Sequence, residues 1–589
     1  MPEYLAPGVF VEETSFRPKS IQGVGTSTTA FAGPTRKGPL GLASDVITSF
    51  PEFERLYGGL GDLVLGGNTR RTNHMAHGAK AFFDNGGARL YVARTFTPRA
   101  INGGAATQDA NSADAGVGDA GAEIGFFRAR FPGAGLNGVV IAYLKAAPAA
   151  VDTLNAAPTG SLAGAGDAFW LKAADGSWAD AAGDALQVTE ATLPDGIQLL
   201  TLNIEMRPGA ANRDADAEGG PVVYERLGFG PGHPRRLADA LAHHPTSRGQ
   251  RLAQPYWFDQ DDTATAFTLR AALFPSGAET VFILTGGDDG AESVASDNNN
   301  QIVSYEDALA ALGEIEDIAI VAAPGHSAAA DPVQFRGTRN ALITHARNMR
   351  YRVAVLDTPE GVGVGDAREV RGQIDSTYAA LYYPWVVVPN PAARPTDDTI
   401  PKELALPPSG FVCGIYARND ITRGVWKAPA NEVVQGALRF EREVTRGEQE
   451  VLNPEGINCL RSFFGRGHRV WGARTVSSDP EWMYVNVRRY FIYLEHSIDR
   501  STQWAVFEPN GPRLWSNITD TVSSFLFAEW RSGALLGASP DEAYFVRCDR
   551  STMTQADLDN GRLICEIGVA VVKPAEFVIF RIGQKTADA

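Results

Sequence analysis

Residues 317–325 read DIAIVAAPG and residues 351–359 read YRVAVLDTP. Each is a short, nearly unbroken apolar run that ends at a proline, with no polar face, which is the pattern of a strand buried on both sides. Between them a helix is predicted near residues 335–350, where Phe335, Leu342, Ala346 and Met349 fall on one face. Further out lie TVFILTGG (280–287) and the amphipathic YEDALAALGEIE (305–316) on one side. A helix near 374–381 and the run PWVVVP (384–389) are predicted on the other. Strand and helix alternating from residue 279 predict an α/β region whose parallel sheet is covered on both faces.

From residue 410 onward the chain reads as α+β. Helical stripes are expected at Val433, Ala437, Phe440 and Val444, at Val487, Phe491, Leu494 and Ile498, and at Ile518, Val522 and Phe525. Strands are expected at 543–548, 563–572 and 576–582. Upstream, TSTTAFAG (26–33) is strand-like, FPEFERLYGG (50–59) is a short helix stopped by glycines, and residues 79–95 read as helix, glycine cap and strand. Residues 99–120 are rich in Ala, Gly, Asn and Asp and read as a linker or loop. Residues 123–204 carry short β-type runs, IGFFRARF, NGVVIAYLK, FWLK and GIQLLTLNI, separated by turn residues, and predict a small β-rich domain. No internal repeat is visible.

The chain of 589 residues is too long for one core. Apolar residues at 44% and charged residues at 21% are ordinary for a globular protein. No run reaches the ~20 apolar residues a membrane-spanning helix needs. The opening MPEYLAPGVFVEE has no basic leader and no apolar core segment, so a cleaved secretion signal is not expected. Four scattered cysteines, Cys413, Cys459, Cys548 and Cys565, suggest structural thiols in a reducing compartment and neither a zinc site nor a disulfide framework. Net charge is −16, which argues against nucleic acid and anionic membrane as partners. Residues 101–300 hold 12 basic against 25 acidic side chains, so the acidity is concentrated in one block.

Candidate chemistry is sparse. Asp357, His326 or His345, and Ser409 supply the residue types of a hydrolase triad, but neither a serine elbow nor a GTS-type nucleophile segment accompanies them. GVGVGDAR (361–368) lacks the third glycine of a dinucleotide loop and reads as a flexible loop. LTGGDDG (284–290) lacks a phosphate-binding lysine and the calcium-loop spacing, and SDNNNQ (296–301) reads as polar loop. No catalytic residue, cofactor or metal is assigned. Arg439, Arg442 and Arg446 are expected opposite an apolar helix face, and Arg488 and Arg489 open another helix. They could equally be solvated or meet an acidic partner surface, where the planar guanidinium pairs well with carboxylates.

The two chain ends are more telling. Val9, Phe10, Val11 and Glu12 at one end, and Phe577, Val578, Ile579 and Phe580 at the other, are β-prone and have no adjacent hairpin partner. A lone strand cannot bury itself, so each is expected to pair with another copy by strand addition, the alternative being that both complete this chain's own sheet.

An ordered set of aromatic, arginine and proline clusters completes the reading. GVWKAPAN (424–431) is followed by LNPEGIN (452–458), VWGARTVSSDPEW (470–482), NVRRYF (486–491) and KPAEFVIFRI (573–582). Before them come APGVFVEE (6–13), GTSTTAFAGPTRKGP (25–39), ITSFPEFERLYGG (47–59), FFDNGGARLYVART (82–95) and PPSGFVCGIYARND (407–420). Together they resemble the contractile tail sheath family of phage tails and contractile injection systems, over about residues 1–98 and 281–582. The resemblance implies a multidomain α/β and α+β chain. Residues 1–22 would be a linking arm, 23–98 the first part of the core, and 99–250 an inserted β-rich acidic outer domain. Residues 251–409 would form an α/β domain of subtilisin-like shape without catalysis, 410–570 a tube-facing C-terminal domain, and 571–589 a second arm. It also implies a non-enzymatic subunit that polymerises in stacked hexameric rings around an inner tube, with baseplate and terminal cap proteins as further partners. Assembly would occur in the cytoplasm of the producing cell, in an extended metastable state, with contraction driving the tube through a target envelope and release by lysis. A minor baseplate-proximal or cap protein of the same particle is the alternative.

Overall fold

The computed structural model describes residues 20–579, apart from residues 102–103, 120, 149–167, 173–177, 181–196, 230–234, 265 and 398. Val9, Phe10, Val11, Glu12 and Phe580 therefore lie outside the described residues. Among the described residues, one compact unit comprises 26–422 and 429–485, and the other comprises 20–25, 423–428 and 486–579.

The larger unit is organised by an eight-stranded mixed sheet. Six of its strands run parallel, in the order Ile457–Phe463, Ala379–Tyr383, Val353–Asp357, Ile320–Ala322, Thr29–Pro34 and Leu90–Thr95. Gly467–Val470 and Glu432–Val433 extend one edge antiparallel. Strand alternation divides the side chains between two cores. Phe31, Ile320, Val355, Ala380 and Tyr382 face one way, packed with residues of the helices Phe50–Tyr57, His74–Asp84 and Ser409–Arg423. Ala30, Val321, Ala354, Leu356 and Leu381 face the other, with the helices Tyr305–Gly313, Pro332–Met349 and Val364–Gly372. Both faces are dry, which explains why the central strands Ile320–Ala322 and Val353–Asp357 are nearly unbroken apolar runs. The expected covered parallel sheet is present, and it takes two of its strands from the N-terminal residues 29–95.

The β-rich region packs two antiparallel sheets. One contains Glu279–Leu284, Gly138–Pro148, Ile197–Pro208, Ala168–Lys172 and Trp178–Asp180, with Val222–Leu227 on a branch. The other contains Tyr256–Gln260, Ala122–Ala129 and Asp114–Asp119. Phe127 joins them, its ring 4.9 Å from Phe258 and 5.2 Å from Phe282.

Several expectations need correction. TVFILTGG does not open the parallel sheet; its strand pairs antiparallel with Gly138–Pro148, and its residues Phe282 and Leu284 fill the β-rich core. The predicted linker contains the strand Asp114–Asp119, which is stabilised by pairing with Ala122–Ala129 and not by its own apolar content. The helix expected near 374–381 is a strand over Ala379–Tyr383, because AALYY is buried on every side and has no polar face to offer solvent. The helix lies instead at Val364–Gly372, beginning within the stretch read as a loop and running past its end, and the Asp366 carboxylate accepts from the Gly363 N–H at 3.0 Å. PWVVVP pairs antiparallel with Glu403–Leu406 and Arg439–Phe440 in a separate three-stranded sheet. No helix covers Val433 to Val444. Asn431 and Gly436 adopt positive φ there, and two short strands, Glu432–Val433 and Arg439–Phe440, take its place.

Candidate assembly surfaces

The residues of the hydrolase pattern do meet, and their geometry is that of a structural cap. Asp357 ends its strand and Ser409 begins the Ser409–Arg423 helix. The Ser409 N–H donates to Asp357 Oδ1 at 2.7 Å and its hydroxyl to Oδ2 at 2.6 Å, so the carboxylate serves the free donors of a helix start. His326 Nδ1 lies 4.0 Å from Asp357 Oδ2 and has the Ala323 carbonyl at 2.8 Å. A serine nucleophile needs its proton directed to an imidazole and its oxygen open to substrate. Here the proton goes to the carboxylate, and Ser409 and Asp357 are fully buried. Burial raises the Asp357 carboxyl to about 7 against the two Ser409 hydrogen bonds, and burial lowers His326 to about 4. His345 is elsewhere, its Nε2 2.6 Å from Arg352 Nη1. Gly410 is fixed by the same packing. A Cβ there would stand 2.7 Å from the Gly78 backbone, where the Ser409–Arg423 and His74–Asp84 helices cross.

The smaller unit is built on the helices Val485–Thr502 and Pro512–Arg531. Ile518, Val522 and Phe525, the stripe predicted for the second helix, are in its core, while from the first helix Tyr490 and Leu494 pack there and Val487 and Phe491 of the predicted stripe do not. Tyr490, Leu494, Ile518, Val522 and Phe525 form its core with Val425, and Trp426 packs against it. Tyr490 and Tyr493 both donate to the Glu529 carboxylate at 3.0 Å, tying the helices together. The Asn486 side-chain amide donates to the Trp426 carbonyl at 2.8 Å and to the Val572 carbonyl at 3.3 Å. Thus GVW of the GVWKAPAN motif is a structural insert, and Asn486 of NVRRYF holds both it and the outgoing C-terminal segment. Residues 20–25 run along the first helix, with Gln22 and Val24 N–H groups donating to Ser501 and Ser497 hydroxyls at 3.3 and 3.1 Å.

A two-stranded antiparallel hairpin, Tyr544–Arg547 with Glu566–Val569, completes the unit. Phe545 and Ile567 on it are exposed. Beyond Val572, residues 573–579 form no strand, and Phe577, Val578 and Ile579 are 73, 67 and 79% exposed. Among the described residues, no helix is long and apolar enough to cross a membrane, and no group of three or more His, Cys, Asp or Glu is placed to hold a metal ion.

Comparison with known proteins gives this arrangement a context. Residues 300–476 match the family model of the phage tail sheath protein central domain, and residues 477–585 match that of the phage tail sheath C-terminal domain. The chain is 32% identical to a chain of the PVC sheath complex of an extracellular contractile injection system in its contracted state, over 48% of this chain and 75% of that one, with a TM-score of 0.42. The chain belongs to the contractile tail sheath family. The helical sheath of the anti-feeding prophage in its contracted state shares the fold, at 20% identity over 99% of this chain and 100% of that one, with a TM-score of 0.53. The tail sheath protein of Burkholderia phage BcepMu is 27% identical over 38% of this chain and 48% of its own length. Matches to the curated relatives span at most 64% of their lengths.

For a sheath-family chain, the surface arginines are the next candidates. Arg439, Arg442 and Arg446 do not share a helix face. Each is exposed and paired within the chain, with Glu403 at 2.7 Å, Glu448 at 2.7 Å and Glu450 at 3.1 Å. Arg488 and Arg489 are buried at the start of the Val485–Thr502 helix, Arg488 3.4 Å from Glu495. The NVRRYF pattern suggests an open basic helix end, but both guanidinium side chains are buried. Two exposed aromatics were missed. Phe464, on the tight turn after Ile457–Phe463, and Phe507 are completely exposed. Their only sequence signal is an aromatic beside turn residues, in FFGRG (463–467) and FEPNG (507–511).

Proposed function

We propose that this chain is the main structural subunit of a contractile sheath, polymerising in stacked hexameric rings around an inner tube and shortening to drive that tube through a target envelope. The observation that carries the reading is the C-terminal segment. Phe577, Val578 and Ile579 form a β-prone apolar run left open to solvent in the single chain. Such a run is a liability in a monomer and a joint in a polymer. The exposed hairpin Tyr544–Arg547 with Glu566–Val569 is a fitting receiver, since two strands alone are marginal and gain from added ones. Residues 1–22 and 571–589 act as the linking arms, with Val9 to Glu12 and Phe577 to Phe580 entering sheets of neighbouring copies. The α/β domain supplies a rigid body of subtilisin-like shape, and the acidic β-rich insert lies on the outer surface, where like charge keeps particles apart.

Assembly in the extended state stores free energy and contraction releases it as interfaces grow, without nucleotide hydrolysis by the sheath. An extra few hundred Å² of apolar contact per subunit would release on the order of several kcal/mol, at about 25 cal/mol/Å². Inner tube, baseplate and terminal cap proteins are the other partners. Of the five candidate arginines, Arg439, Arg442 and Arg446 are the exposed ones, and they would meet an acidic tube surface by exchanging their in-chain glutamate partners. Assembly takes place in the cytoplasm of the producing cell, and lysis releases the particle.

Negative-stain microscopy of the purified chain tests the reading. Rings or tubes of uniform diameter are expected, and a chain lacking residues 1–20 should remain folded without forming them. Normal tubes from that truncated chain would remove the arms from the mechanism.

A further inference from the structure

We propose that Cys548 and Cys565 are a latent disulfide pair that closes when the protein meets an oxidising thiol–disulfide pool, locking the hairpin of the smaller unit. The last paired rung of that hairpin is Arg547 opposite Glu566. The ladder ends there, and continuing the same register by one residue on each strand sets Cys548 opposite Cys565. Directly opposed residues in an antiparallel pair have Cα atoms roughly 4.5–5.5 Å apart, inside the roughly 4.4–6.8 Å that a disulfide spans. Each thiol is close enough to the other to shift its proton affinity.

Closure needs no rearrangement of the intervening loop, which is already folded back. The Thr552 hydroxyl donates to the Ile564 carbonyl at 2.8 Å, and Asn510 Nδ2 donates to the Arg562 carbonyl at 3.0 Å. Access is asymmetric. Cys548 is buried in the core of the unit beside residues such as Trp515 and Met553, whereas Cys565 is half-buried. Cys565 is therefore the thiol that an oxidant reaches first. The other two cysteines offer no such pair, since Cys413 and Cys459 are buried in the cores on opposite faces of the large sheet.

The chemistry balances with oxidised glutathione as the oxidant. The Cys565 thiolate attacks one glutathione sulfur, breaking that S–S bond and releasing the first glutathione thiolate. The Cys548 thiolate then attacks Cys565 Sγ and releases the second. The two cysteines lose two electrons and two protons, and the protons end on the two glutathione thiolates. Burial pushes Cys565 up to about 12 and raises Cys548, so little thiolate is present near neutral pH. Closure is slow there and accelerates as pH rises, and the pair stays reduced while the protein remains in a reducing compartment.

The full chain is incubated with oxidised glutathione at ~pH 8.5, where thiolate is more available, then alkylated, digested with trypsin without reduction and analysed by mass spectrometry. Trypsin cuts after Arg547, Arg550 and Arg562, so the two cysteines fall on separate peptides. The expected result is a linked peptide pair that disappears on dithiothreitol treatment, with glutathione left on Cys565 in the Cys548→Ser variant. Full alkylation of both thiols, glutathione on Cys565 of the unaltered chain without any linked pair, or links only between chains would overturn the proposal.

Discussion

Ser409 donates twice to Asp357, from its backbone N–H and from its hydroxyl, and neither residue is reached by solvent. Hydrogen bonds of this kind join the last residue of a parallel strand to the first residue of the helix that packs its face. Replacing Ser409 by Ala removes one of the two and leaves Asp357 Oδ2 buried without that donor. The expected cost is about 1–3 kcal/mol of unfolding free energy by chemical denaturation, with no change in hydrolysis of ester or peptide substrates. A loss of hydrolysis without loss of stability would restore the enzyme reading.

Acid should destabilise the larger unit. Burial holds His74 at about 3 and His77, His326 and His345 at about 4, below the ~6.5 of an unfolded imidazole. Each contributes stability that is present above ~6.5 and is lost as pH falls through its folded value. Asp357 works the other way. Its carboxyl is raised to about 7, so its contribution is present below the unfolded carboxyl value and lost as pH rises. Four histidines outweigh one carboxyl. The unfolding free energy should fall by an amount on the order of a few kcal/mol between ~pH 7 and ~pH 4, and a flat profile would contradict the burial of these rings.

Gly23 meets the end of Tyr493, where a Cβ would collide with the phenol oxygen. That oxygen donates to Glu529 at 3.0 Å and cannot swing away freely. Gly23→Ala should lower stability by about 1–3 kcal/mol. In the Tyr493→Phe background the oxygen is gone, so the same substitution should cost less. Additive losses in the thermal melts of the double variant would show that the two residues do not touch.

Phe577, Val578 and Ile579 are exposed, so replacing all three by Ser should change chain stability by less than ~0.5 kcal/mol each. On the proposed function the triple variant should nevertheless fail to form tubes. Sedimentation velocity together with calorimetry separates the two effects. Loss of folding would mean that these residues are packed against their own chain.

Local pattern was enough for much of this fold. The apolar runs at Ile320–Ala322 and Val353–Asp357 were legible because they are short and dry on both sides, and the Pro332–Met349 and Pro512–Arg531 helices because apolar residues recur on one face. The same reading fails at AALYY, an all-buried strand that follows residues suggesting a helix, and at Val433 to Val444, where a helical spacing of apolar residues coexists with backbone turns at Asn431 and Gly436.

The sequence by itself determined the alternation of strand and helix, the acidic block and the family resemblance. Only the tertiary structure decided that Thr29–Pro34 lies between Ile320–Ala322 and Leu90–Thr95, that Glu279–Leu284 leaves the parallel sheet for the β-rich one, and that Arg488 and Arg489 are enclosed. Periodicity records how a segment is buried, while its partners are set by contacts between residues hundreds of positions apart, which no local window contains.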